Sequence, residues 1–447
     1  MFLVLILAFS QIDLKAETAS TQLPQTEFNF EVSSSVRQYS TIKGLMLNIG
    51  ESELLSKISK IVKFDLEFTD QLEIELKKVE KELEPVVLSK LFDKGTSIFI
   101  YVKDLGKTDK KNEHSFQVSL KEPSSNKVLF DKNFVCSETN LVYQSHQISD
   151  DLLPALTSEK GPILSTLAYC KQVSPKCKVV CIADYACKKE KIVVGKQSIN
   201  VAPCWHSQAP ILYYSQLTKH NGKLMSVDLK TKKHSVVCAY DGLNMQPTFS
   251  KDGQKAVMCL SGGGNSELYL YDQLICQKLG RRAFKQLTKN NGNNVCPSMM
   301  DNGNVIFCSD FESPWPQIYH LDVKNNITTR LTNGHGYCAA PSYCAKNNSI
   351  VYSRLMNNTF QLFKINLNES KKHEQQITFN HGNKHEPSWS ECGNYIAFTQ
   401  EVPVAKRGKA VPQVAIINCR SGKVRILTDG LEAKSFPAWT NAPVYQI

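Results

Sequence analysis

No stretch of this sequence is long and apolar enough to cross a bilayer as a helix, which takes about 20 residues. The one unbroken apolar run is residues 1–9. It is the length of a leader's hydrophobic segment, and small residues Ala16 and Ala19 follow as cleavage points. No cationic residue precedes Lys15, so the usual basic leader head is missing. The catalytic vocabulary is thin as well. There is no G-x-S-x-G elbow, and the N-terminal third has no phosphate-cradling glycine loop. His381 and His385 are four apart, but no Glu follows His381, as a zinc protease helix requires. Ser250-Lys-Asp-Gly253 lacks the spacing of a sialidase Asp box. The spacing of Cys170, Cys177, Cys181 and Cys187, taken together, matches no familiar zinc module. Catalytic, metal-binding and cofactor-dependent classes are therefore not expected.

What is present is a globular composition, 42% hydrophobic, with a net charge of +11. Lys and Arg read as scattered, without the aromatic-interleaved stripe of a nucleic-acid binder, so no nucleic acid is expected. The 15 cysteines leave at least one unpaired. Cys259, Cys308 and Cys419 fall within strand patterns, where a thiol is a small hydrophobe. Four N-x-S/T sequons, at Asn326, Asn347, Asn357 and Asn368, follow from an Asn-rich chain.

In chain order, residues 1–19 read as a signal peptide and 20–40 as a flexible polar arm. Within the arm Glu27-Phe-Asn-Phe-Glu-Val32 alternates, as a strand adding to another sheet edge does. Residues 41–160 mix helix and strand signals, the pattern of an α/β domain. Ile42–Ile49 is a candidate strand. Ser52 to Lys63 places Leu54, Leu55, Ile58, Ile61 and Val62 on one helical face, with Ser52 as N-cap. Gln71–Leu83 is read as continuing that helical period. A short helix after Pro85, a strand at Ser97–Val102, a hairpin around Pro123–Asn126 and a helix over Asn140–Leu156 complete the domain.

From Gly161 onward short strands take over, and one pattern returns: Pro203-Cys-Trp205, Pro247-Thr-Phe249, Pro297-Ser-Met299, Pro341-Ser-Tyr343, Pro387-Ser-Trp389 and Pro437-Ala-Trp439. These prolines recur every 44 to 50 residues. Multi-strand repeats of roughly 40–50 residues are the signature of a β-propeller, whose blades bury their faces only against neighbours. The last repeat supplies one strand, and three strands between 163 and 195 precede the first. Strands from both ends are expected to complete one sheet, giving an all-β six-bladed propeller over 161–447, its last blade closed by 163–195 with 435–440. Leu287-Thr288, Leu331-Thr332, Ile377-Thr378 and Leu427-Thr428 each end a repeat, read as β-branched outer strands.

On the repeat at residues 387–398, the terminal Phe436-Pro-Ala-Trp439, the entry Lys160-Gly161 with Leu167-Ala-Tyr169 and Ala183-Asp-Tyr185, and the order of parts, the chain resembles the TolB family of the Gram-negative Tol–Pal envelope system. The resemblance covers about 40–440. Departures are the degraded turns Ser-Lys-Asp-Gly253, Met-Asp-Asn-Gly303, Cys-Ala-Lys-Asn347 and Ser-Glu-Cys-Gly393, and the abundance of cysteine, which fits a host-associated bacterium such as a chlamydia. The resemblance implies a periplasmic, non-catalytic, monomeric protein, peripheral to the membrane. It implies binding to the lipoprotein Pal at the propeller mouth, and to TolA and other inner-membrane Tol proteins through the α/β domain and arm. Its role would be outer-membrane integrity and invagination at division.

Loops before each repeat proline gather at one end of a propeller, and loops on a rigid scaffold carry binding. Asn244, Met245, Gln246, Asn294, Val295, Tyr337, His385, Glu386 and Phe436 are the expected partner-binding residues. Two other readings compete. One is an exported propeller of carbohydrate-active or peptidase-accessory type, which hydrolysis dependent on one carboxylate would favour. The other is an extracellular sugar-binding module.

Overall fold

The computed structural model describes residues 41–110, 112–122, 127–195, 198–219, 221–280, 283–334, 336–403, 410–440 and 444. The expected leader, the arm and the hairpin turn at 123–126 lie outside these residues.

The N-terminal sheet contains β1 (Ile42–Ile49), β2 (Leu72–Val79), β3 (Ile98–Lys107), β4 (His114–Lys121) and β5 (Val128–Cys136) in the order β2-β1-β3-β4-β5. β1 runs parallel to both neighbours, and the remaining pairs are antiparallel. The helix α1 (Glu53–Glu67) starts where Ser52 Oγ accepts from Leu55 N at 3.2 Å. α1 and α3 (Leu141–Thr157) bury one face of the sheet through Ile58, Val62, Ile148 and Leu152. α2 (Pro85–Asp93) covers the other face, with Leu88 against Leu45, Leu47 and Phe99. The helical reading of Gln71–Leu83 fails. Leu72, Ile74 and Leu76 alternate with Glu73, Glu75 and Lys77, which is the strand period, and this segment pairs along all of β1.

Among the described residues the rest is β-strand and connections apart from one α-helix, the short α4 (Gln273–Leu279). Four sheets have four antiparallel strands each. The first is β13 (Asn244–Phe249), β14 (Lys255–Leu260), β15 (Glu267–Asp272) and β16 (Phe284–Gln286). The second is β17 (Asn294–Met299), β18 (Val305–Ser309), β19 (Gln317–Asp322) and β20 (Ile327–Arg330). The third is β21 (Cys338–Cys344), β22 (Ser349–Met356), β23 (Thr359–Asn366) and β24 (Glu374–Gln376). The fourth is β25 (Lys384–Trp389), β26 (Tyr395–Pro403), β27 (Ala410–Asn418) and β28 (Val424–Ile426).

An eight-stranded sheet joins β9 (Ile199–Trp205), β10 (Ile211–Leu217), β11 (Gly222–Asp228) and β12 (His234–Cys238) to β6 (Thr166–Ser174), β7 (Cys177–Asp184), β8 (Lys191–Val194) and β29 (Lys434–Thr440). Among the described residues its two antiparallel halves pair as strands only at the parallel pair Lys178 and Ile199. The C-terminal strand β29 pairs antiparallel with β6, so the two ends of the β region share a sheet. The architecture is a β-propeller with an N-terminal α/β region.

The repeat motif has a local cause. The residues before the repeat prolines, Ala202, Gln246, Cys296, Ala340, Glu386 and Phe436, have φ of 50 to 57°. Each begins a bulge where the inner strand slips register against its neighbour. The hydroxyl after the proline ties sheet to sheet. Thr248 Oγ1 accepts from Met299 N, Ser298 Oγ from Tyr343 N, Ser342 Oγ from Trp389 N and Ser388 Oγ from Trp439 N, at 3.0 to 3.2 Å. Ala438 has no hydroxyl, and there its carbonyl accepts from Trp205 Nε1 at 3.0 Å.

The Leu-Thr and Ile-Thr pairs lie just past the outer strands, so β propensity does not explain them. Thr332 Oγ1 accepts from Ile318 N at 3.1 Å and donates to Gln317 Oε1 at 2.7 Å. Thr378 does the same with Leu362 and Gln361, and Thr428 with Val414 and Gln413. Each hydroxyl continues the ladder where the strand leaves it. We expect Thr332→Val, Thr378→Val and Thr428→Val each to cost about 1–3 kcal/mol, because a buried N–H and a glutamine oxygen lose their partner. Urea midpoints measure this, and shifts no larger than those of surface threonine-to-valine controls would refute the clasp.

Candidate docking site at the free end of the propeller

Antiparallel four-stranded sheets send successive connections to alternate ends. The first-to-second and third-to-fourth strand turns share one end, and the remaining connections share the other. The α/β region occupies part of the first end, packed on β6, β26, β27 and β29 through Leu167, Tyr395, Ala397, Ile416 and Trp439. Asp65, buried in α1, accepts from Tyr185 Oη at 2.6 Å and Ser149 Oγ at 2.7 Å, and lies 2.8 Å from His146 Nδ1. Tyr185 lies between β7 and β8. Asp70 binds both terminal nitrogens of Arg425 and accepts from Ser421 Oγ at 3.0 Å. Asn418 Nδ2 donates to Thr69 O at 2.9 Å, and Asn394 Nδ2 to Glu159 Oε2 at 2.8 Å. Phe68 packs edge-on to Tyr185, under the Arg425 guanidinium.

The residues expected to bind a partner belong to the opposite end, and they divide into wall, bulge and pocket residues. Asn244, Met245, Asn294 and Val295 are buried in the wall. Asn244 Nδ2 donates to Gly222 O and Tyr240 O at 2.8 and 2.7 Å, holding its own loop. Asn294 Nδ2 donates to Glu267 Oε2 at 2.9 Å. Met245 and Val295 belong to the apolar core. Gln246, Glu386 and Phe436 are bulge residues. Glu386 Oε2 accepts from Phe436 N at 2.7 Å and Thr399 Oγ1 at 2.6 Å, linking adjacent sheets.

Tyr337, His385 and Glu386 do come together. With Ala340, Ser353 and Phe360 they line a pocket enclosing about 340 Å³, part of it open to solvent. Phe360 stands edge-on to Tyr337 at 5.5 Å and packs on His385 at 4.8 Å. Ser353 Oγ is buried with no hydrogen-bond partner among the described residues. Phe360 and Ser353 were missed because only the loops before the repeat prolines were considered. The connection between β22 and β23 reaches the same end by the antiparallel alternation, and that was the available signal. Exposed apolar side chains surround this end: Phe379, Trp315 and Leu431.

Burial raises the Glu386 carboxyl above the usual carboxylate range, against the hydrogen bonds from Thr399 and Phe436. Burial, with Lys384 adding to it, holds the His385 imidazole down to about 4. Burial also lowers Lys384 to about 8, its Nζ donating to His381 O and Gly382 O at 2.9 and 2.6 Å.

This fold and site define a class: a β-propeller with an α/β region docked on one end and an apolar, aromatic pocket at the other. The TolB β-propeller domain model matches residues 153–440, and the chain belongs to the TolB family. The Tol-Pal system protein TolB of Helicobacter pylori is 25% identical over 245 residues, 53% of this chain and 56% of that protein. The Rickettsia prowazekii Tol-Pal system protein TolB is 33% identical over 125 residues, 27% of this chain and 28% of that protein. The match to the Helicobacter relative thus spans about half of its length. The crystal structure of TolB from Acinetobacter baumannii shares the fold with a TM-score of 0.76 at 20% identity, covering 90% of this chain and 96% of that one.

The His385 shift has a consequence for stability. Below 6.5 the unfolded imidazole takes up a proton that the folded one refuses until about 4. Stability conferred by the neutral side chain is therefore complete above pH 6.5 and falls as pH drops toward 4, by at most about 3 kcal/mol. We expect the denaturant midpoint of the wild type to fall more over that window than that of His385→Gln. Equal losses, or an imidazole titrating near 6.5 by NMR, would contradict the buried neutral state.

Proposed function

We propose that this chain is a non-catalytic periplasmic component of a Tol–Pal system that docks the lipoprotein Pal at the free end of a six-bladed propeller. On this reading the eight-stranded sheet is two packed blades whose strands pair at one position, and one of them is closed by the C-terminal strand. The propeller takes residues 161–447 and the α/β domain 41–160, behind a leader over 1–19. That domain, with the arm at 20–40, meets TolA and other inner-membrane Tol proteins. Coupling the two ends serves outer-membrane integrity and draws the outer membrane inward at division.

The observation that carries the reading is the asymmetry of the ends. One carries the chain's own α/β region over the sheets that flank the closure, fastened through Asp65, Asp70 and Glu159. The other leaves a pocket walled by Tyr337, Phe360 and His385, with Phe379 and Trp315 exposed at the same end. Aromatic side chains around a partly desolvated pocket are the usual makings of a protein hot spot. The unpartnered Ser353 hydroxyl adds one polar group for orientation.

The test is capture of Pal by purified protein. The combination Gln246→Ala, His385→Ala and Phe379→Ala is expected to weaken capture at least tenfold, the loss of about 1.4 kcal/mol or more, with the far-ultraviolet dichroism unchanged. Undiminished capture would remove the docking assignment from this end.

A further inference from the structure

We propose that the face formed by the turns of β9–β16, on the side of the propeller where α4 projects, docks on a bilayer containing anionic lipid. This surface lies outside the pocket described above and does not depend on what that pocket binds.

The first observation is an insertion. Third and fourth strands are joined elsewhere by residues 229–233, 323–326, 367–373 and 419–423, but between β15 and β16 by residues 273–283. The extra length folds as α4, begun by Asp272 Oδ1 accepting from Leu274 N and Ile275 N and ended by Gly280 with φ of 62°. Only Cys276 of this helix is buried. Leu274, Ile275 and Leu279 are 54, 50 and 52% exposed. A blade does not need this helix, and soluble surfaces seldom leave clustered aliphatic side chains exposed without a use.

The second observation is charge. Residues 199–289 contain twelve Lys and Arg against five Asp and Glu, so the positive charge that reads as scattered along the chain is concentrated in these two sheets. Lys230, Lys232, Lys233, Lys251, Lys278 and Lys285 are all exposed. The three carboxylates at this end are committed to local turns. Asp228 accepts from Lys230 N and Thr231 N, Asp252 from Ser250 Oγ and Gln254 N, and Asp272 caps α4.

Hydrogen bonds join these turns into one face: Leu229 N to Pro210 O at 3.0 Å, Ser207 Oγ to Ser250 O and Gln208 Nε2 to Lys251 O at 2.7 Å, and Gln273 N to Gln254 O at 2.9 Å. An aliphatic tip within a set of lysines matches an anionic lipid surface, where the chains enter the headgroup boundary and the ammonium groups stay among the phosphates. A protein hot spot more often presents Trp, Tyr or Arg to a pocket, and α4 projects none of the aromatic ones.

The test uses the full chain and vesicles of phosphatidylcholine with or without phosphatidylglycerol. Tryptophan placed by Ile275→Trp is expected to shift its emission to the blue and to be quenched by brominated acyl chains when phosphatidylglycerol is present. It should do neither with phosphatidylcholine alone. Taken as the difference from the wild type, whose four tryptophans lie outside α4, this signal is local to α4, so membrane affinity of the N-terminal residues does not imitate it. Cosedimentation should weaken about fivefold for each of Lys230→Gln, Lys232→Gln and Lys233→Gln at low salt, and should weaken further as salt rises. Leu274→Ser with Leu279→Ser should abolish it while the thermal melt and Pal capture stay as in the wild type. Unchanged emission at position 275 on anionic vesicles would overturn the proposal. So would equal binding to neutral vesicles, or a lysine-dependent acidic protein partner bound in place of vesicles.

Discussion

Closure of the ring by β29 on β6 is the constraint from which the rest follows. A blade sheet has apolar faces that only neighbouring sheets can cover, so an open ring would leave both a face and an edge exposed. The chain avoids this by returning after more than 250 residues to the strand that follows its α/β region. Trp439 shows how much converges on the seam. Its N–H reaches Ser388 in the preceding sheet, and its ring joins a core that also contains Ile58 and Leu152 of the α/β region. That core continues through Tyr185 and Tyr395. The N-terminal region thus seats on the two sheets flanking the closure, and Asp65, Asp70 and Glu159 fasten both. Domain docking and ring closure share one set of contacts and are expected to be lost together.

The repeat proline was legible because it records backbone geometry rather than function. A left-handed residue before proline, with a bulge, turns the inner strand, and the following hydroxyl hooks the next sheet. Non-glycine residues at positive φ cost of order 1–3 kcal/mol each. Ala202, Gln246, Cys296, Ala340, Glu386 and Phe436 have little in common chemically, so side-chain preference does not set the conformation. The surrounding pairing does, which explains why the proline and hydroxyl recur while the residue before them varies. Glu386 shows one use of that freedom, its carboxylate accepting the backbone N–H of Phe436, the next such residue around the ring.

Other features were not legible, for identifiable reasons. Leu72–Val79 reads as helix only if its neighbours set the period, and its parallel partner β1 lies about thirty residues earlier. Asn244 and Asn294 look like loop residues available to a partner, but the carbonyls and the carboxylate that claim their amides are fixed by tertiary structure. The pocket required Phe360 and Tyr337 from different loops of one sheet and His385 from the next. The pairing of Asp70 with Arg425 joins residues some 350 apart, and no local pattern marks it. α4 was overlooked because seven residues after a strand give too short a window for helical periodicity.

The loops around the pocket are held by one recurring device with interchangeable chemistry. Three residues before the repeat prolines stand Asn200, Asn244, Asn294, Cys338, Lys384 and Lys434, all buried. Asparagine and lysine place N–H donors on backbone carbonyls, Asn200 on Lys178 O and Gly195 O, Lys384 on His381 O and Gly382 O, Lys434 on Asp429 O, while Asn294 donates to Glu267 Oε2. A thiol cannot donate comparably, and burial pushes Cys338 up to about 12, so it stays neutral and apolar. Where Cys338 stands, the loop carbonyls are met from outside instead, Arg354 Nη2 donating to Asn333 O and Arg330 Nη2 to Gly334 O. Moving the donors outward leaves room for Tyr337 and Phe360 to pack edge to face beside the buried thiol, and the pocket forms at this position. The cysteine therefore has a packing reason independent of redox chemistry, in keeping with all 15 cysteines being free thiols here.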